Sequence, residues 1–125
     1  MKKKICVAIV NDDETIGDLI RFNLEQSKYE VRCYRNTRDA LELIERPADI
    51  ALLDFSNTPM DGVELYGHLR SKTRMSLIFL SAWAGNLPDM LQRRDLMPAD
   101  GYIGLPFNLA TVMTVIETAL SSRAV

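Results

Sequence analysis

Residues 5–10, Ile-Cys-Val-Ala-Ile-Val, form an almost unbroken apolar run that stops at Asn11-Asp12-Asp13-Glu14. A strand that is apolar on both faces must be covered on both faces, which only the interior of a sheet provides. The device recurs: Ala48 to Leu53 ends at Asp54, and Ser76 to Leu80 ends at Ser81. Between the runs the period changes. Ile16, Leu19, Ile20 and Leu24 recur at helical spacing and predict a helix from Thr15 to Ser27.

The rest of the chain repeats this alternation. Glu30 to Tyr34 reads as a second strand. Asn36 or Thr37 can cap a helix that buries Ala40, Leu41, Leu43 and Ile44 and stops at Pro47. Gly62 precedes a third helix carrying Val63, Leu65, Tyr66 and Leu69. Gly85, Pro88 and Pro98 leave room for only a short helix between Ala84 and Pro98. Asp100 to Gly104 is the fifth strand, and Asn108 caps a last helix whose Leu109, Val112, Met113, Ile116, Ala119 and Leu120 face the core. This order predicts an α/β fold: a five-stranded parallel sheet, doubly wound, in a flavodoxin-like three-layer sandwich. With 125 residues and no repeat or linker, residues 1–125 read as a single domain without an output domain.

Composition narrows the function classes. A net charge of −2 gives no electrostatic basis for nucleic-acid binding. The apolar runs are too short to cross a bilayer, and Lys2-Lys3-Lys4 leads into a strand with no cleavage site, so a cytoplasmic protein without membrane contact is expected. Cys6 and Cys33 lack CxxC spacing and read as reduced, buried, structural residues. One histidine, His68, excludes a His-rich metal site and reads as solvent-facing.

In an open α/β sheet the ligand site lies at the carboxyl ends of the strands. Those ends here carry Asn11 to Glu14, Asp54, Ser81 and Leu105-Pro106. Asp12 and Asp54 follow neighbouring central strands, so their carboxylates should converge and repel unless a divalent cation joins them. Oxygen donors without histidine or cysteine suit Mg²⁺ better than zinc. Ser81 adds a hydroxyl, and the Ala82 amide a donor to an anion. Asp12 or Asp13 could instead simply cap the first helix.

With these residues in place, the sequence resembles the receiver domain of two-component response regulators, CheY-like, over essentially the whole chain. The most specific stretch is Asp49-Ile50-Ala51-Leu52-Leu53-Asp54 followed by Met60-Asp61-Gly62. The resemblance implies that Asp54 is the phosphoacceptor and Asp12 the principal acidic Mg²⁺ ligand. It further implies that the Ser56 backbone carbonyl binds the metal and that Asn11 is a weak ligand or one acting through water. Ser81 matches the family's hydroxyl position, Tyr102 its aromatic switch, and Pro106-Phe107 the end of its Lys-Pro-Phe signature. The implied function is phosphorelay signal transduction. A histidine kinase or histidine phosphotransfer protein would donate the phosphoryl group, and the face of the fourth helix, fifth strand and fifth helix would meet a downstream protein. Any homodimer is expected through the same face. The chain is read as a phosphorylated signalling protein and not as an enzyme in its own right.

Two departures touch the site. The family usually has two acidic residues after its first strand; Asn11 and Asp12 stand there. Its near-invariant lysine is Leu105, and no Lys or Arg between Gly101 and Phe107 replaces it. Two carboxylates without a lysine carry the same formal charge as three with one, which keeps Mg²⁺ binding but forfeits a charge-assisted contact to phosphate worth about 1.5–3 kcal/mol. Phosphate coupling should therefore be weakened. Smaller departures are Thr58-Pro59 where the family has proline one place earlier, and Trp83 at the pocket mouth, where it is either a gate to water or a packing residue. The Leu105–Pro106 bond is left open between cis and trans.

The alternative reading is a phosphorylation-independent pseudo-receiver that acts as a protein–protein docking module. An aspartate-nucleophile phosphohydrolase is rejected, because Ser56 stands where the general acid would be. A flavin-binding domain is weak, because no Ser/Thr/Gly-rich loop follows the first strand.

Overall fold

The computed structural model describes residues 4–12, 14–55, 59–82 and 84–123. The chain alternates strand and helix: β1 (Cys6–Asn11), α1 (Glu14–Gln26), β2 (Glu30–Tyr34), α2 (Thr37–Ala40), α3 (Glu42–Glu45), β3 (Ile50–Asp54), α4 (Pro59–Lys72), β4 (Ser76–Leu80), α5 (Leu87–Gln92), β5 (Gly101–Ile103) and α6 (Leu109–Arg123). The five strands form one sheet in the order β2-β1-β3-β4-β5, with every pair parallel. The doubly wound flavodoxin-like fold expected from the sequence is the one observed.

Alternation along the strands divides the core into two layers. Val7, Ile9, Ile50, Leu52, Ile78 and Leu80 pack with Ile20 and Leu24 of α1 and Val112 and Ile116 of α6. Ala8, Val10, Ala51, Leu53, Leu77 and Phe79 pack on the opposite side with Leu43, Val63, Tyr66, Leu69 and Leu91. Both β3 and β4 are buried at every position, which is why they read as continuous apolar runs.

The helix predicted after Asn36 is two short pieces that break at Leu41. Asn36 caps the first, its Oδ1 accepting the Asp39 N–H at 2.8 Å. Leu41, expected inside, is exposed, because the break turns it out of the buried face that keeps Ala40 and Leu43. Gly62 lies within α4 rather than before it. A Cβ there would stand 3.0 Å from Phe55 Cβ, so the helix starts close against the end of β3. Asn108 caps α6 as expected, accepting the Ala110 N–H at 2.7 Å. Arg93, Arg94 and Asp95 follow α5, and Asp95 has the left-handed φ of 56°.

Both cysteines are free, but neither is fully buried: Cys6 is half-buried and Cys33 exposed, since β2 is an edge strand. Among the described residues, no helix is long and apolar enough to cross a membrane. Asp13, Ser56, Thr58 and Trp83 lie outside the described residues.

Candidate functional site

The parallel register places Asn11 of β1 directly beside Asp54 of β3. Both side chains are buried, Asp54 to 3% exposure, at the carboxyl end of the sheet. Asn11 Nδ2 donates a hydrogen bond to Asp54 Oδ2 at 2.9 Å. A buried carboxylate needs such a donor, and a charge-assisted bond of this kind contributes about 1.5–3 kcal/mol. Sequence reasoning cast Asn11 only as a weak metal ligand. Its amide also holds the neighbouring carboxylate in place, where a second carboxylate would repel it.

Asp12 follows β1 and is exposed. Ser81 follows β4, buried to 2%, and its amide donates to the Ile103 carbonyl at 2.9 Å, tying the ends of β4 and β5 together. Ala82, next to it, is exposed. Asn11, Asp12, Asp54, Ser81 and Ala82 thus occupy the ends of three adjacent strands, where the strand-end rule puts a ligand. Among the described residues, no group of three His, Cys, Asp or Glu side chains could hold a metal. The donor chemistry at Asp12 and Asp54, two carboxylates with an amide, fits a hard cation that keeps part of its water shell, such as Mg²⁺.

Leu105 does not reach for an anion. It is half-buried, packs against the α1–α6 side of the core, and lines an apolar groove with Ile16, Leu19, Pro106 and Phe107. The Leu105–Pro106 peptide bond is cis. Tyr102 is half-buried and stacks on Phe79, ring centroids 6.1 Å apart. Its hydroxyl accepts the Ala99 N–H at 2.9 Å. Ala99 precedes β5 while Ser81 follows β4, so that hydroxyl is turned away from Ser81.

The sequence reading passed over one neighbourhood. Beside Asn11 a cavity of about 230 Å³ is lined by Asp18, Arg21, Cys33 and Arg35. Arg35 follows Tyr34, which pairs with Val10, so it stands next to Asn11 across the strand gap. Register alone, once the strand order is known, would have found it. The cavity also corrects the expectation that no cysteine is near the site, because Cys33 lies on its wall. A larger polar cavity, about 440 Å³, is lined by Cys6, Arg32 and Asp49 at the opposite end of the sheet.

With this geometry in view, comparison with known proteins is decisive. The family model described as response regulator receiver domain matches residues 7–117. This chain is a response regulator receiver domain. The receiver fold recurs in solved structures. A CheY-like receiver domain protein from Methanospirillum hungatei JF-1 is 26% identical with TM-score 0.83, over 98% of both chains. The non-phosphorylated HemR receiver domain of Leptospira biflexa is 28% identical with TM-score 0.79, over 94% of this chain and 95% of that one. The response regulator TrrA of Thermotoga maritima, in complex with Mg(2+)-BeF, is 24% identical with TM-score 0.78, over 94% and 99% of the two chains. Receiver domains serve phosphorelay signalling.

Proposed function

We propose that this receiver domain accepts a phosphoryl group on Asp54 and signals through its α5–β5–α6 face, the one the family counts as fourth helix, fifth strand and fifth helix. The observation that carries the reading is the buried Asp54 carboxylate, held at a central strand end by the Asn11 amide at 2.9 Å. A fixed carboxylate oxygen is pre-positioned for attack, and phosphoryl transfer depends chiefly on position and charge. An Asp54 carboxylate oxygen attacks phosphorus of a phosphohistidine on a kinase or phosphotransfer protein. The P–O bond forms as the P–N bond breaks, and the imidazole nitrogen leaves with the electron pair. The aspartyl phosphate is the carrier, so the chain acts as an acceptor rather than an enzyme.

Asp12, Asp54 and the Ser56 carbonyl would hold Mg²⁺, with Asn11 acting through its hydrogen bond or a water. Mg²⁺ supplies charge neutralisation at the transferring oxygens; the TrrA structure contains Mg(2+)-BeF. Ser81 and the Ala82 amide would bind the transferred phosphoryl group. Tyr102 would answer the movement of Ser81, a population shift only as large as the phosphate's preference for one state. With Leu105 in the apolar groove, that coupling loses the family's cationic contact.

The test is intact mass after incubation with Mg²⁺ and a small phosphodonor, beside Asp54→Asn. One added phosphoryl group, absent from the variant and without Mg²⁺, is expected. No addition to the folded protein, from the small donor or from a phosphorylated histidine phosphotransfer protein, would overturn the reading. The phosphate-independent docking module would then stand, favoured by the half-buried Leu105 lining an apolar groove with Ile16, Leu19 and Phe107.

A further inference from the structure

A polar network outside the site joins α4 to residues 97–100, just before β5. The Tyr66 hydroxyl donates to the Met97 carbonyl at 2.6 Å and accepts from Arg70 Nε at 3.0 Å. Arg70 also donates to Asp100 Oδ2 at 2.9 Å, and that oxygen accepts the Leu77 N–H at 2.8 Å. The Asp100 N–H returns to the Leu77 carbonyl at 2.8 Å. Between Met97 and Asp100 lies Ala99, whose N–H donates to the Tyr102 hydroxyl at 2.9 Å. The rings follow the same line: Phe79 lies between Tyr66, tilted by 32° at 5.3 Å, and Tyr102, stacked at 6.1 Å. The Arg70 guanidinium sits 5.2 Å from the centre of the Tyr66 ring.

These contacts have a direction. Ala99 precedes β5, and Tyr102 pairs with Phe79 two residues before Ser81. A Tyr102 hydroxyl bonded to the Ala99 amide therefore points down the strand, away from Ser81. We propose that Tyr66 and Arg70 are positioning residues that fix segment 97–100 and, through the Ala99 amide, hold Tyr102 turned away from the phosphoacceptor site. The clamp sets how readily Tyr102 turns towards Ser81 when Asp54 is phosphorylated; that last clause rests on the function proposed above, whereas the clamp itself needs no phosphate.

Tyr66→Phe removes the hydroxyl between Met97 and Arg70 while leaving the ring on Phe79. The measurement is exchange of the Ala99 amide, together with the ¹⁹F resonance of fluorotyrosine at position 102, both without a phosphodonor. Losing these two part-buried hydrogen bonds should speed Ala99 exchange roughly three- to tenfold and move the Tyr102 resonance. Tyr102→Phe, which removes only the acceptor, should speed Ala99 exchange at least as much, and it answers the question if Tyr66→Phe fails to fold. A merely structural Tyr66 would lower the melting temperature and leave both probes of the folded protein unchanged; that result overturns the proposal, as does an Ala99 amide insensitive to Tyr102→Phe. Because these readings use unphosphorylated protein, failure of the clamp and failure of Asp54 phosphorylation are separate outcomes.

Discussion

Two side chains set the character of this site. Asn11 ends β1 beside Asp54 and donates to its carboxylate at 2.9 Å. Asn11→Asp replaces an attraction with two facing carboxylates. Without Mg²⁺ at neutral pH it should lose about 1–3 kcal/mol of stability, the usual cost of breaking a buried hydrogen bond to a charge. Urea unfolding with and without Mg²⁺ checks this; the loss should be largely recovered with the cation, which two carboxylates attract more strongly. Leu105 is the other. Leu105→Lys can lay its stem along the groove now lined by Ile16 and Leu19 while its ammonium reaches outward. A regained contact to phosphate of about 1.5–3 kcal/mol corresponds to a roughly 10- to 100-fold gain in aspartyl phosphate formed at limiting donor. A time course of intact mass reads it, and an unchanged yield would mean that position 105 does not face the phosphoryl group.

At the scale of elements, the packing of helices against strand ends depends on what is missing from two glycines. A Cβ on Gly62 would stand 3.0 Å from Phe55 Cβ, and one on Gly101 2.8 Å from Val115 Cγ1. Gly101→Ala should therefore cost about 1–3 kcal/mol through overpacking between β5 and α6. Val115→Ala in the same chain opens the space, so the double variant should be less destabilised than the sum of the single variants. Thermal unfolding of the three proteins measures that coupling. The start of α6 is a further point: Asn108→Ala, losing the 2.7 Å bond from the Ala110 N–H, should cost about 1 kcal/mol.

For the whole molecule, three tyrosines link stability to alkaline pH. Tyr29, Tyr34 and Tyr66 are all raised from the ordinary value of 10.0, each chiefly by burial. Glu117 adds to the effect at Tyr29, and a hydrogen bond to Glu42 at Tyr34. Arg70 works against burial at Tyr66, but burial wins. A group whose folded value lies above its unfolded one gives stability that is whole below pH 10.0 and lost as pH rises through the folded value. The part of the unfolding free energy that these tyrosines carry should therefore hold steady up to about pH 10 and fall beyond it. Tyr66→Phe should make the decline shallower, which denaturant titrations across that range would show.

The sequence by itself determined the layers and their order. Runs such as Ile50 to Leu53 must be covered on both faces, and that requirement alone selects a parallel sheet with helices on either side. It also located the strand-end residues Asp54 and Ser81, because apolar runs end visibly where polar residues begin. It did not show that Leu41 turns outward, because a four-residue helix that breaks after Ala40 leaves almost the same local pattern as one that continues. Nor did it show that Cys33 is exposed, since a strand's place at the sheet edge is a property of the whole sheet. What tertiary structure alone decided is which distant groups meet. Asn11 with Asp54, and Arg70 with Asp100, are 43 and 30 residues apart in the chain. No local periodicity encodes such pairs; strand register and helix packing bring them within hydrogen-bond reach, and hydrogen bonding then makes each pair a unit.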